Sequence, residues 1–202
     1  MMPPIQTSEP NDEELLRDIL QGDEMAFTSL YRRRQAGIYR FALQMSGSAA
    51  VAEDVLQEVF LALIRGGGGY DARRGSVAAF LYGVARNKVL RCLERQPPPA
   101  EEVAPEETAC GTPDPLDQLA RQETIRAVQD AVLGLPAHYR EAVVLCDLHE
   151  LTYEEAAKAL GCAVGTVRSR LHRGRELLAA KLRPTGQPGH AAGGMALGRS
   201  CL

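Results

Sequence analysis

Apolar residues along this chain recur at three- and four-residue spacings, the period of a helix with one buried face, and not in the alternation of a half-buried strand. Leu15, Leu16, Ile19 and Leu20 follow Asn11 and Asp12, either of which can cap a first helix, and Gly22 closes it. Phe27, Leu30, Tyr31, Ile38, Phe41 and Met45 define a second helix ending near Ser46 and Gly47. A third is predicted from about Ala49 to Arg65, where GGGG stops it. After the loop GGGGYDARRG, Ser76 can cap a fourth that runs to about Arg95. Further along, helices are expected over Leu116 to Leu133, Pro136 to Leu148, Thr152 to Leu160 and Gly165 to Leu182. The expected fold is therefore all-α, a four-helix unit followed by a second helical unit.

Two stretches break the pattern. QPPPAEEVAPEETACGTPDP is rich in proline and acid and too poor in apolar residues to build a core, so residues 96–115 are expected to be a flexible linker between units at 11–95 and 116–183. The tail over 184–202, PTGQPGHAAGGMALGRSCL, has the composition of a disordered segment. In the second unit, Thr152 to Glu155 fits a capping box, because Thr152 can accept from the amide three residues on while Glu155 reaches back. The short turn Gly161, Cys162, Ala163, Val164 between two amphipathic helices then reads as a helix-turn-helix.

Charge changes the picture more than composition does. The net charge of −3 argues weakly against nucleic acid, but it hides an uneven distribution. Gln96 to Ala120 carries six acids and no Lys or Arg, whereas Ala163 to Arg183 carries Arg168, Arg170, Arg173, Arg175, Lys181 and Arg183 against Glu176 alone. No apolar run is long enough for a membrane span, and the start MMPPIQTSEPNDEE lacks an export signal, so a cytoplasmic protein is expected. Cys92, Cys110, Cys146, Cys162 and Cys201 lack CxxC spacing and read as reduced thiols, Cys92, Cys146 and Cys162 partly packed.

Three surfaces carry candidate chemistry. On the third helix Asp54, Gln57, Glu58 and Leu61 share a narrow stripe on an otherwise apolar cylinder. A solvated face is the commoner meaning of such a stripe, and a docking site for a basic partner helix is the sharper one. On the fourth helix Phe80, Val84, Asn87, Lys88, Arg91 and Arg95 lie on one side, preceded by Tyr70, Arg73 and Arg74 in a glycine-rich loop. Such a face can stack on an unpaired base and hold phosphates, and composition alone weighs this evenly against a basic surface helix with Phe80 in the core. On the last helix Val167, Leu171, Gly174 and Leu178 form an inward seam, which turns Ser169, His172, Arg173 and Glu176 outward with Arg168, Arg170 and Arg175 on the flanks. That suits a recognition helix, with short polar groups and an arginine toward base edges and the flanking arginines toward phosphates.

Two segments together resemble one family. AEDVLQEVFLALIR with FLYGVARNKVLRCLER, and then LPAHYREAVVLCDLHELTYEEAAKALGCAVGTVRSRLHRGRELLAAKL, resemble the two domains of extracytoplasmic-function (ECF) sigma factors of the sigma-70 family, over Asp12 to Arg95 and Leu116 to Arg183. The resemblance implies a factor that directs core RNA polymerase to promoters in response to a stress signal. The helix over Ala52 to Arg65 would dock on the polymerase through Asp54, Gln57, Glu58 and Leu61. Tyr70, Arg73, Arg74, Phe80, Asn87, Lys88 and Arg91 would open and read the minus-ten element. Thr166, Arg168, Ser169, His172, Arg173 and Arg175 would read the minus-thirty-five element. An anti-sigma factor in trans is implied, with no cofactor, no metal and no catalytic residue. The chain departs from the family at Phe80, usually Trp and larger for stacking, and at Arg91, often Asp.

Two other classes compete. A stand-alone helix-turn-helix regulator would lack the polymerase stripe and the basic face of the fourth helix. An enzyme is disfavoured because His138, His149, His172 and His190 do not cluster with acids or thiols at ligand spacing, and His149 near Cys146 reads as packing.

Overall fold

The computed structural model describes residues 10–65, 69–95 and 115–183, the side chains of Arg74 and of residues 115–120 excepted. The expected linker, but for Pro115, and the expected tail lie outside the described residues. Among the described residues eight α-helices follow in order: α1 Asp12–Leu20, α2 Glu24–Ser46, α3 Ala49–Ile64, α4 Val77–Arg95, α5 Pro115–Leu133, α6 Ala137–Val143, α7 Tyr153–Leu160 and α8 Val164–Leu182.

Their boundaries follow from local chemistry. Asn11 caps α1 in a reciprocal box with Glu14, and Asp23 and Ser48 cap α2 and α3. Ser76 accepts from the Ala79 amide at the start of α4. The capping box at Thr152 is present, its hydroxyl accepting from the Glu155 amide and the Glu155 carboxylate accepting from the Thr152 amide. Gly161 ends α7 at φ 64°, a left-handed conformation glycine adopts without steric cost, and so sets the turn that redirects the chain into α8. One expectation is modified. The helix expected from Pro136 to Leu148 is regular only to Val143, and Val144–Leu148 widens into a π-helical turn followed by Glu150 at φ 55°.

Helices α1–α4 pack around Leu16, Leu30, Ile38, Phe41, Met45 and Leu63, all under 2 % exposed. Around α6–α8, Leu135, Ala142, Val143 and Leu171 form a second cluster. The two units also share a core. Val132, Val144, Leu145, Leu151, Ala156, Ala159, Leu160 and Val167 join the same buried cluster as the α1–α4 residues. Polar groups cross this seam as well. Arg86 of α4 pairs with Glu141 of α6 at 2.8 Å, and the Glu141 side chain is only 2 % exposed. Arg140 donates to the Met45 carbonyl at the end of α2 and to the Leu133 and Leu135 carbonyls beside it. The sequence reading treats the units as bodies on a tether; in the structure they lie against each other.

The reason is a third face on α4. At about 100° per residue, Leu81, Ala85 and Val89 point into the α1–α4 core, and Phe80, Asn87 and Arg91 occupy the outer face. Ser76, Ala79, Tyr82, Gly83 and Arg86 form the remaining stripe, which meets α6, α7 and the turn between them. A β-carbon at Gly83 would lie 3.3 Å from the Ala159 carbonyl oxygen and 3.6 Å from its Cα, so glycine is what lets α4 and α7 touch backbone to backbone.

Candidate nucleic-acid interface

The α3 stripe is as the periodicity requires. Asp54, Gln57 and Glu58 are exposed and Leu61 is half-buried, while Val51, Val55, Val59, Phe60 and Leu63 are buried. Ile64, one turn beyond the stripe, is 58 % exposed and extends it with an apolar end that sequence reasoning missed. Glu58 accepts from the Lys88 ammonium of α4 at 2.5 Å, and that hydrogen bond, followed by the Lys88 charge, holds its carboxyl below the usual range. The stripe and the basic face of α4 therefore adjoin.

On α4 Phe80 is half-buried, its ring edge-on to Tyr70 with centroids 5.6 Å apart. Asn87 and Arg91 are exposed and Lys88 is half-buried. Tyr70 is anchored from behind by Glu13 of α1, which accepts from its hydroxyl at 3.5 Å. Burial first, and then the Glu13 charge, raise the Tyr70 pKa, so the phenol stays neutral. Ahead of α4, Asp71 accepts from the Arg73 amide and starts a 3-10 turn over Ala72–Arg74, which leaves Arg73 exposed beside Gly75. Phe80 is packed against the buried cluster of the α1–α4 unit as well as on Tyr70, and it is only partly buried.

On α8 the inward seam is Val167, Leu171 and Gly174, all buried, with Leu178 half-buried. Gly174 fits against Val143 of α6. Arg168, Ser169, His172, Arg173 and Arg175 are exposed, and Thr166 is half-buried with its carbonyl accepting from the Ser169 hydroxyl at 3.0 Å. Three of these arginines are already engaged. Arg173 donates to Glu176 at 2.8 Å, one turn along the same face, and the Arg173 hydrogen bond keeps Glu176 ionised below its usual range. Arg175 takes Asp147 of the π-helical turn in a two-pronged contact at 3.0 and 2.5 Å. Arg168 lies over the Tyr153 ring at 5.5 Å. Arg175 and Arg168 are thus oriented by neighbouring elements, whereas Arg173 is held only by a side chain on its own surface.

Both ring nitrogens of His149 are engaged by side chains. The His149 ring bonds the Tyr82 hydroxyl through Nδ1 at 3.0 Å and Gln44 Oε1 through Nε2 at 2.9 Å. Burial pushes the Cys146 thiol up to about 11. Among the described residues, no group of three or more His, Cys, Asp or Glu is placed to hold a metal ion, and no helix is long and apolar enough to cross a membrane.

Residues 30–97 match the Sigma-70 region 2 family and residues 125–178 match the Sigma-70, region 4 family. The chain is 37% identical over 173 residues to the ECF RNA polymerase sigma factor SigM of Mycobacterium tuberculosis, covering 85% of this chain and 84% of the relative. It belongs to the ECF sigma factors of the sigma-70 family. The ECF RNA polymerase sigma factor SigE of Mycolicibacterium smegmatis is 35% identical over 84% of this chain and 68% of its own length. The fold likewise matches solved structures. CnrH, determined in complex with the cytosolic domain of CnrY, superimposes with a TM-score of 0.65 at 24% identity, over 84% of this chain and 95% of that one. RpoE of Bartonella quintana, determined with the anti-sigma factor NepR, gives 0.62 at 24% identity over 77% and 96%.

The region 2 match begins at Leu30 within α2 and takes in α3 and α4, and the region 4 match runs from Ile125 in α5 to Leu178 in α8. Sequence reasoning missed the stripe of this ECF factor at Ser76, Ala79, Tyr82, Gly83 and Arg86. Its one legible signal was Gly83, a helix-weakening residue inside a helical pattern and one without a Cβ to keep a neighbouring backbone away.

Proposed function

We propose that this ECF sigma factor binds core polymerase through Asp54, Gln57, Glu58 and Leu61, with Ile64 as an apolar extension. The minus-ten element is taken by Tyr70, Arg73, Arg74, Phe80, Asn87, Lys88 and Arg91. The minus-thirty-five element is taken by Thr166, Arg168, Ser169, His172, Arg173 and Arg175. The supporting observation is the outer face of α8: a capped helix-turn-helix buries Val167 and Leu171 and thereby turns Ser169, His172 and Arg173 to solvent as one polar, cationic strip. An α-helix carrying such a strip fits the major groove, where arginine recognises a guanine edge and its neighbours hold phosphates.

The protein acts by binding, without catalysis, in the cytoplasm and on a stress signal. Relatives determined with CnrY and NepR support an anti-sigma partner in trans. Sequencing the transcripts induced on overproduction defines a promoter, and transcription from it by purified core polymerase with and without the chain tests the reading. Initiation dependent on the chain is the expected result. Duplex binding without association with core would favour a stand-alone regulator instead.

A further inference from the structure

We propose that the cleft between α2, α4 and the 148–150 turn binds a small phosphorylated molecule that also carries an apolar or aromatic part. Arg40 and Arg34 of α2 take the phosphate. None of the residues lining this cleft belongs to the surfaces assigned to polymerase or promoter, so the inference stands apart from that reading.

The cleft follows from the sequence of α2. Arg33, Gly37 and Arg40 stand at i, i+4 and i+7 and so share one helical face, with two cations roughly 10 Å apart along the axis and a glycine between them. Gly37 removes the side chain that would fill the middle of this face, since a β-carbon there would lie 2.9 Å from the Tyr82 hydroxyl. Arg34 lines the same space. The other walls are Tyr82 of α4 and Leu148, His149 and Glu150 of the turn, and they enclose about 410 Å³. That falls within the range of about 300–1,000 Å³ typical of small-molecule sites.

Charge in the cleft is not balanced from within. Arg33 and Arg34 share one carboxylate, Asp12, which accepts from Arg33 at 2.8 Å and from Arg34 Nε at 2.6 Å. The pairing fixes the Arg34 fork and leaves its Nη1 unpaired among the described residues. Arg40 is exposed and, among the described residues, makes no hydrogen bond or ion pair. Glu150 is the other acid at the cleft, so three guanidiniums stand against two carboxylates. His149 registers the excess: burial first, and then the Arg40 charge, holds its pKa down to about 4. Its Nε2 donates to the Gln44 carbonyl oxygen, which leaves Nδ1 to accept from the Tyr82 hydroxyl. Both wall residues have thus spent their protons on each other and on Gln44. The donors open to a ligand are the guanidinium groups of α2.

Those donors select phosphate. A guanidinium stays charged and meets two phosphate oxygens with its fork, and three terminal oxygens can serve Arg40 and Arg34 together while the ester link leads away from them. Leu148, 42 % exposed, gives the remainder of the molecule an apolar contact. By mass action, occupancy ties the stability of the chain to the concentration of a phosphorylated metabolite.

The test titrates the full chain with phenyl phosphate, inorganic phosphate, benzoate and a short duplex of arbitrary sequence, at fixed ionic strength. Calorimetry reads affinity, and the imidazole resonances of His149 read location. Phenyl phosphate is expected to saturate below about 1 mM, to shift His149 along the same curve and to raise the melting temperature. Inorganic phosphate, lacking the apolar part, and benzoate, lacking the third oxygen, should bind on the order of tenfold more weakly. Arg40→Gln should weaken phenyl phosphate about tenfold and Arg40→Lys by less, because lysine keeps the charge and loses the fork. The melting temperature of each variant without ligand is the folding control. Absence of saturation, an unmoved His149, equal affinity for benzoate, or parent-like affinity in Arg40→Gln overturns the site. A duplex that displaces phenyl phosphate and depends equally on Arg40 would also overturn it, assigning these arginines to backbone phosphates instead.

Discussion

Glu58 on α3 and Lys88 on α4 meet at 2.5 Å, so a residue assigned to polymerase docking is tied directly to one assigned to the unpaired strand. The pair is solvent-exposed, where ion pairs contribute little to stability, so its weight falls on placement of the two surfaces. Charge reversal at Asp54→Arg with Glu58→Arg should leave the thermal midpoint nearly unchanged and weaken core binding, because repulsion replaces a charge-assisted contact. Titration of labelled core polymerase checks this. Parent-like affinity in the double variant would remove the stripe from the interface.

Phe80 borders the exposed face of α4 while leaning on Tyr70. Its replacement by Ala should lose stacking worth about 1–3 kcal/mol and impair promoter opening more than closed-duplex binding. Permanganate footprinting of the bubble reads the opening step. Rescue on a pre-melted template is expected, and equal opening by parent and Phe80→Ala would show that the ring does not touch the strand.

Much of the fold was legible because helix ends are written locally. Ser76 and the Thr152 box were read from residue type and spacing, the first cap was narrowed to Asn11 or Asp12, and Asn11, Ser76 and Thr152 each make the capping bond. The outward strips on α3 and α8 were legible for the same reason, since period alone fixes which side is buried once the apolar positions are known. The seam was not. Arg86 and Glu141 are 55 positions apart, and no local rule pairs them; His149 reads as packing, and nothing local joins it to Tyr82, with which its ring is in contact across the seam. The π-helical turn after Val143 was equally hidden, because Val144 to Leu148 keeps an apolar helical pattern while the Leu151 amide reaches back to the Leu145 carbonyl.

Acid should loosen the seam. Burial, and after it the charge of Arg40, holds the His149 pKa at about 4 against an ordinary 6.5. Arg33, Arg34 and Glu150 line the same cleft with Tyr82. Because the packed state favours neutral imidazole, the stability it confers is complete above about pH 6.5 and is lost as pH falls toward about 4, by roughly 1.4 kcal/mol per unit. Thermal unfolding across that range should flatten in His149→Gln, whose amide can serve both Tyr82 and Gln44 without titrating. An unchanged slope in the variant would assign the pH dependence to other groups.

Sequence reading by α8 depends on how its arginines are held. Arg173 is tethered only to Glu176 on its own exposed face and can exchange that carboxylate for a guanine edge, so Arg173→Ala should cost about 1–3 kcal/mol and relax preference mainly at one base position. Arg175, paired with Asp147, and Arg168, lying over Tyr153, are the flanking residues proposed to contact the DNA backbone. Their removal should weaken binding to all sequences alike and lower the salt slope by about one unit for each phosphate no longer neutralised. Glu176→Gln should do the opposite of Arg173→Ala, tightening binding without changing preference, since it frees the guanidinium and removes a negative charge from the face that meets DNA. Affinities for a panel of single-base promoter substitutions at several salt concentrations separate these behaviours. If Arg173→Ala lost affinity uniformly while Arg175→Ala changed base preference, α8 would present a different face to the groove.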